Sequence, residues 1–397
     1  MARPRAEPAA ASHAPRSTRN VRACMLWGAL ATALAFTAQW ITVQVNYGGR
    51  WSGLFCTGSR FPIPPWLAHE NLHVFANSYG YDGQFYHYIA HDPFMQRGVA
   101  DYLDGPRLRY RRILVPLLAW LLGGGRYVDA AYIAVILGFL FLGAYWTSRC
   151  LVEQGRHPAW GLAFLALPGT IVSLDRMVVD GPLTALAAGF ALYSRTGPLW
   201  KLFLVLAAAP LVRETGVLLV AASVAFELYG GGYRRSLLPA SSALPALGWW
   251  VFVHWQTPPT GVFVLTAPLL GLFRRLSTPV NYALDPAVAT LAVILDWLAI
   301  AGAVAALGLA ARSVWKQRNP TAWAIALFGL LVATLDVHCW VDIYAHSRVA
   351  SPLLMLLVLG STNLPWKLRW LPVFLMLPRL GLALASQGVG VLRALLG

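Results

Sequence analysis

Long apolar runs alternate with short polar connections along almost the whole chain. The runs fall at 23–43, 127–147, 159–172, 178–193, 199–211, 216–229, 237–254, 287–311, 322–335, 349–359 and 371–385. A straight helix needs roughly 20 residues to cross a bilayer. The shorter runs therefore extend into their polar flanks, or are broken helices buried in a bundle. The pattern predicts an all-α polytopic membrane protein with about eleven transmembrane helices. Two apolar stretches are too short to span. Residues 113–122 (ILVPLLAWLL) read as an interfacial helix with Pro116 near its entrance, and 262–273 (VFVLTAPLLGLF), interrupted by Pro268, as a second interfacial or re-entrant element. No repeat, heptad pattern or linker divides the chain. Residues 22–397 read as a single membrane domain whose first outer loop runs over 46–126. Residues 1–21, rich in Ala, Pro and Arg, read as a disordered cytoplasmic segment. The apolar run that follows lacks a convincing small-residue cleavage site and is expected to be a retained helix.

Composition agrees with that class. Of 397 residues, 58% are hydrophobic and only 12% charged, and the mean hydropathy is +0.57, more apolar surface than a soluble chain of this length can hide. A net charge of +15 would suggest nucleic acid in a soluble protein. Here the basic residues cluster in short connections, where they set topology and meet anionic lipid head groups, so nucleic acid is not an expected partner. With the N-terminus in the cytoplasm, the inner connections hold Arg149 and Arg156; Arg195 and Lys201; Arg234 and Arg235; Arg312, Lys316 and Arg318; and Lys367 and Arg369. The reverse orientation would put nearly all of them outside. Cys24, Cys56, Cys150 and Cys339 show neither a CxxC motif nor metal-ligand spacing. Cys56 and Cys339 both fall outside, where a disulfide is the alternative to two free thiols.

Ionisable side chains at membrane depth cost several kcal/mol unless paired or wetted, so their positions carry information. On this topology Asp82, Asp180, Arg213, Glu214, Asp342, His346 and Arg348 all fall at or near the outer face. The middle of most runs is Ala, Leu, Val and Gly. Asp296 is the exception, and the sequence assigns it no role.

The densest chemistry lies in YGYDGQFYHYIAHDP (79–93), where aromatic rings surround Asp82. Rings offer flat faces for a sugar, a carboxylate can take a hydroxyl proton as general base, and Gly83 would let a substrate approach the backbone. The competing reading makes Asp82 the cap of a helix beginning at Gly83. Arg107, Arg109, Arg111 and Arg112 precede the 113–122 helix, suited to phosphate or to ordinary lipid head groups. Arg213 either grips a phosphate or is neutralised by its neighbour Glu214. Arg348 suits phosphate too, with His346 two residues before it. Asp180 opens a helix ahead of Gly181 and Pro182, as a cap or as a second site acid, and Arg176 is expected to pair with Asp175 or Asp180. His338 and His346 with Asp336 or Asp342 form a weaker metal alternative.

Five segments together resemble the GT-C class of integral-membrane glycosyltransferases, nearest in pattern to the glycosylphosphatidylinositol mannosyltransferase type and bacterial cell-surface glycopolymer relatives. They are YDGQFYHYIA (81–90), YRRILVPLLAWLL (110–122), PGTIVSLDRMVVDGPLTAL (168–186), LVRETGVLL (211–219) and HSRVASPLL (346–354). The resemblance covers about residues 20 to 360. It implies that Asp82 is the catalytic base, and that Arg213 and Arg348 hold the phosphate of a polyprenyl-phosphate sugar donor. Tyr81, Gln84, Tyr86, His87, Arg109, Arg111, Arg112, Asp180, Glu214 and His346 are the expected substrate-binding residues around them. Many members carry a second acid beside the first-loop Asp; none adjoins Asp82, and Asp92 lies ten residues on. The expected setting is a bacterial inner membrane with a periplasmic active site. The expected acceptor is a glycolipid or glycan, and no cofactor is expected, a divalent metal being the lesser alternative. A transporter or flippase of a lipid-linked glycan is the competing function class, and a non-catalytic assembly subunit a third. A transporter would need a polar path through the membrane centre.

Overall fold

Apolar segments that exclude water must satisfy their backbone hydrogen bonds internally, and the runs accordingly fold as helices. The computed structural model describes residues 14–68, 70–259, 265–278 and 280–396. Among these the only paired strands are Thr57–Gly58 and Val74–Phe75, which run parallel. The chain is an all-α membrane protein. The helices used below are α1 (Ala14–Asn46), α2 (Asp82–His91), α3 (Pro106–Arg111), α4 (Leu114–Gly123), α5 (Val128–Glu153), α6 (Pro168–Arg176), α7 (Asp180–Tyr193), α8 (Leu199–Val212), α9 (Leu244–Gln256), α10 (Pro286–Lys316), α11 (Pro320–Ala333), α12 (Ile343–Gly360) and α13 (Trp366–Ala383).

Four stretches are long and apolar enough to cross a membrane: Asn20–Asn46, Val128–Glu153, Pro286–Trp315 and Ile343–Gly360. Three bent pairs raise the number to seven if each is one span. One is Pro158–Ala166 with α6, bent by 63°. Its cause is local: Leu167 precedes Pro168 and is extended (φ −73°, ψ 132°), the conformation a following proline enforces. Helices α4, α8 and α11 are apolar but shorter, at most 14 residues or about 21 Å, against a hydrocarbon core of about 30 Å.

Residues 14–21, expected to be disordered, are instead the first turns of α1: no proline after Pro15 interrupts helix propagation into the apolar run. Residues 1–13 lie outside the described residues, as do 260–264, so the element expected over 262–273 is described only in part. There Leu265 bridges to Leu335, and a short helix covers Leu270–Ser277. The helix expected at 113–122 is α4.

Helices α7 and α12 form the centre of the bundle and are buried over almost their whole length. The Gly169 N–H donates to the Ser351 hydroxyl at 2.6 Å, which brings α6 close against α12. By contrast Leu26, Leu30 and Leu34 form an exposed stripe along α1, a face suited to lipid. The segment 46–126, expected as a large outer loop bearing interfacial helices, carries short helices around a core of its own. Leu67, Phe85, Tyr88, Ile89, Val99, Tyr110 and Ile113 make a second core that Val253 of α9 completes.

The two ends of the bundle differ. At one end Gln154 bonds the Leu359 carbonyl and Arg369, and Arg156 stacks on Trp366, so the basic connections gather there. The first turns of α5, α7 and α12 lie at the other end, about 39 Å away along α5.

Candidate functional site

Asp82 stands in the first turn of α2, held there by its neighbours in sequence. The Tyr81 N–H donates to the Cys56 carbonyl at 3.0 Å. Gln84 accepts from the Gly58 N–H at 3.1 Å and donates to the Tyr79 carbonyl at 2.8 Å. Gly83 has no space for a side chain, because a Cβ would overlap the Arg176 carbonyl oxygen. The glycine thus serves close packing against α6, where the sequence suggested close approach to a substrate. Asp82 does not cap its helix: Tyr81 is the cap residue and the carboxylate points to arginines.

Asp82 Oδ1 accepts from Arg109 Nη2 at 2.8 Å, and Oδ2 lies 2.7 Å from Arg348 Nη2. Asp104 accepts from Arg109 Nε and from the same Nη2, at 2.8 and 2.7 Å. Asp180, buried at the start of α7, pairs with Arg213 and lies 3.7 Å from Arg348 Nη1. Arg348 therefore bridges Asp82 and Asp180. Glu214 pairs with Arg112, both contacts at 2.7 Å, and Arg112 also donates to the Tyr86 hydroxyl at 2.7 Å. The adjacency of Arg213 and Glu214 is misleading, because the turn between α8 and the next helix aims the two side chains at different partners. The pair Arg176–Asp175 forms at 2.7 Å.

Asp82, Arg109, Arg112, Arg213, Glu214 and Arg348 line one cavity of about 390 Å³. The aliphatic side chains of Leu265, Leu331, Leu335 and Val349 line the same cavity. Asp180 backs the charged side without lining it.

The electrostatics follow from the pairing. Burial raises the pKa of Asp82, but the guanidiniums of Arg109 and Arg348 outweigh it and hold the carboxyl well below the usual range. Glu214 is likewise raised by burial and lowered more by Arg112, to about 2. Burial and the charge of Arg112 lower the Arg213 guanidinium to about 10. The Nε atoms of Arg213 and Arg348 are buried without a hydrogen-bond partner. A bound anion would relieve both residues, so the cavity has the chemistry of an anion site with a carboxylate at its edge.

Several expected site residues lie elsewhere. Gln84 ties the backbone that carries Asp82. His87 stacks on Phe55 and bonds Asp129, on a face of α2 turned away from the cavity. Arg111 lies over Trp250, drawn to α9 by its aromatic face, and Arg107 bonds carbonyls at the end of the same helix. His346 is buried against Trp340, one helical face away from Arg348. The His338–His346 metal arrangement does not form, since the His338 side chain is exposed while His346 is buried. Tyr81 places its ring under Arg348, 5.1 Å from the guanidinium carbon. Asp92 accepts from the N–H groups of Gln96 and Arg97 and closes a turn. All four cysteines are free. Asp104 was missed, although its place five residues before Arg109, ahead of Gly105-Pro106, is a signal for a helix-start carboxylate reaching forward. Asp296 gains partners in Arg379 at 2.7 Å, Arg275 at 3.3 Å and the Tyr282 hydroxyl.

Compared with protein-family models, with curated proteins and with solved structures, the chain matches none.

Proposed function

We propose that the chain is a GT-C-type glycosyltransferase, moving a sugar from a polyprenyl-phosphate donor to a hydroxyl of a glycolipid or glycan. The observation that carries the reading is the shared cavity: a carboxylate, Asp82, and two guanidiniums with unpartnered Nε atoms, Arg213 and Arg348, share it with aliphatic side chains. A lipid-linked phosphate presents both matching halves. Its anion suits the arginines and its chain the side chains of Leu265, Leu331, Leu335 and Val349. We take the bundle to comprise about eleven spans, the short helices included. The basic end of the bundle belongs in the cytoplasm of a bacterial inner membrane and the cavity at the periplasmic face.

In this reading Asp82 takes the proton from the acceptor hydroxyl. The hydroxyl oxygen bonds to the anomeric carbon, the bond from that carbon to the phosphate oxygen breaks, and the phosphate leaves with the bonding pair. The leaving group is already an anion, so the arginines stabilise charge and no acid is required. A single displacement inverts the anomeric centre. Asp82 paired to two arginines is a weak base. As the donor phosphate draws Arg348 and Arg213 toward itself, Asp82 loses part of the charge that lowers its pKa, which couples donor binding to base strength. Transport fits less well, because Asp296, the ionisable group deep in α10, is held by two arginines and a tyrosine.

The test is transfer by the purified full chain in lipid nanodiscs, supplied with a panel of polyprenyl-phosphate sugars. Wild type transfers one of them, Asp82→Glu keeps part of the rate, and Asp82→Asn loses it by at least about 10²-fold. Full activity in Asp82→Asn overturns the assignment of the base.

A further inference from the structure

We propose that His87, His91 and Asp129 form a binding site for a divalent transition-metal ion of the zinc class. His87 and His91 are four residues apart on α2 and share one face of it. Their Nε2 atoms converge on a single oxygen, Asp129 Oδ1, at 2.7 and 3.1 Å. The three donor atoms lie within 4.8 Å of one another. A tetrahedral ion with ligands at about 2.0–2.1 Å wants its donors about 3.3 Å apart, so small rotations of these side chains open the cluster around one.

A second observation points the same way. The buried carboxylates of the candidate active site and Asp296 all face arginine, in a chain of net charge +15. Among the described residues Asp129 pairs with no Arg or Lys, only with the two imidazoles. A bound divalent metal would give this carboxylate the cation that arginine gives the others. Phe55 stacks on the His87 ring at 4.1 Å and 12° and fixes the plane in which Nε2 points. His87 is fully buried while Asp129 is 30% exposed, so the site has an inner anchor and an open side for entry and for water as fourth ligand. Two nitrogens and one carboxylate suit zinc or a similar borderline ion, and suit magnesium or calcium poorly, since those ions demand oxygen.

The site is separate from the proposed catalytic centre and does not depend on that reading. At about 100° per residue, His87 lies about 140° around α2 from Asp82, and His91 about 180°. Its effect is positional: the ion ties α2 to the first turn of α5 and so sets the height at which Asp82 enters the cavity.

The full chain, purified without a histidine tag, is assayed for bound metal by mass spectrometry, and for the visible absorption of added cobalt(II). Wild type carries one more equivalent of zinc than His91→Asn or Asp129→Asn, and both variants bind zinc at least about tenfold more weakly. Zinc raises the wild-type unfolding temperature and magnesium does not. Equal metal content and equal zinc response in wild type and both variants overturn the proposal, leaving a purely hydrogen-bonded contact. Should the variants not fold, wild type decides alone: absence of a tetrahedral cobalt band overturns it.

Discussion

Arg348 lies 2.7 Å from Asp82, linking the first turn of α2 to the second turn of α12 across most of the chain's length. On the proposed function, this contact joins the carboxylate to the anion holder and couples the two. While Arg348 faces Asp82 the carboxylate is a poor proton acceptor. If a donor phosphate draws Arg348 away, as the proposed function requires, the carboxylate is released.

Removing Arg348 should expose that coupling. In Arg348→Ala, Asp82 loses one of the three arginine charges that hold its pKa down, so the acid limb of the kcat/KM profile moves to higher pH. At the plateau, kcat/KM falls by at least about 10²-fold through lost phosphate contacts. Arg348→Lys keeps the charge without the planar fork and falls between the two. An unshifted acid limb in Arg348→Ala speaks against the coupling.

Glu214 offers a stability test. Its folded-state pKa, about 2, is below the ordinary value, so its pairing with Arg112 stabilises the fold above the unfolded value and is lost as pH falls through the folded one. Glu214→Gln is therefore less stable than wild type at neutral pH, and the gap closes as pH falls from about 4.3 toward 2. Thermal unfolding across that window measures it; a gap constant with pH would refute the pairing.

Gly83→Ala forces a methyl group into the Arg176 carbonyl. The first turn of α2 must shift, and Asp82 with it. Activity drops by about 10²-fold and stability by about 1–3 kcal/mol. Gly138→Ala, in α5 with open space around it, is the neutral control. Retained activity in Gly83→Ala would show that the backbone at Asp82 tolerates displacement.

Asp296→Asn leaves Arg379 and Arg275 buried without a carboxylate. We expect a loss of about 3–5 kcal/mol in stability, with activity per folded molecule unchanged. Chemical denaturation beside an activity assay separates the two effects; lost activity at full stability would make Asp296 functional and revive the transport reading.

The amino-acid order alone specified the membrane class, the segregation of basic connections from the acidic motifs, and Asp82, Arg213 and Arg348 as residues of interest. These follow from local properties: run length, charge position and the rarity of ionisable groups in apolar surroundings. It did not specify partners. Arg213 and Glu214 are neighbours that bond Asp180 and Arg112, while Gln84, His87, Arg111 and His346, each within a few residues of site groups, point away. A helix such as α7, apolar all round, carries no stripe to tell which side faces which neighbour, so rotation about its axis is invisible in the pattern. Helix rotation and long-range packing turned Arg348 onto Asp82, and two histidines onto Asp129. Only the folded chain decides those pairings, because each depends on elements that meet in space far from where they lie in sequence.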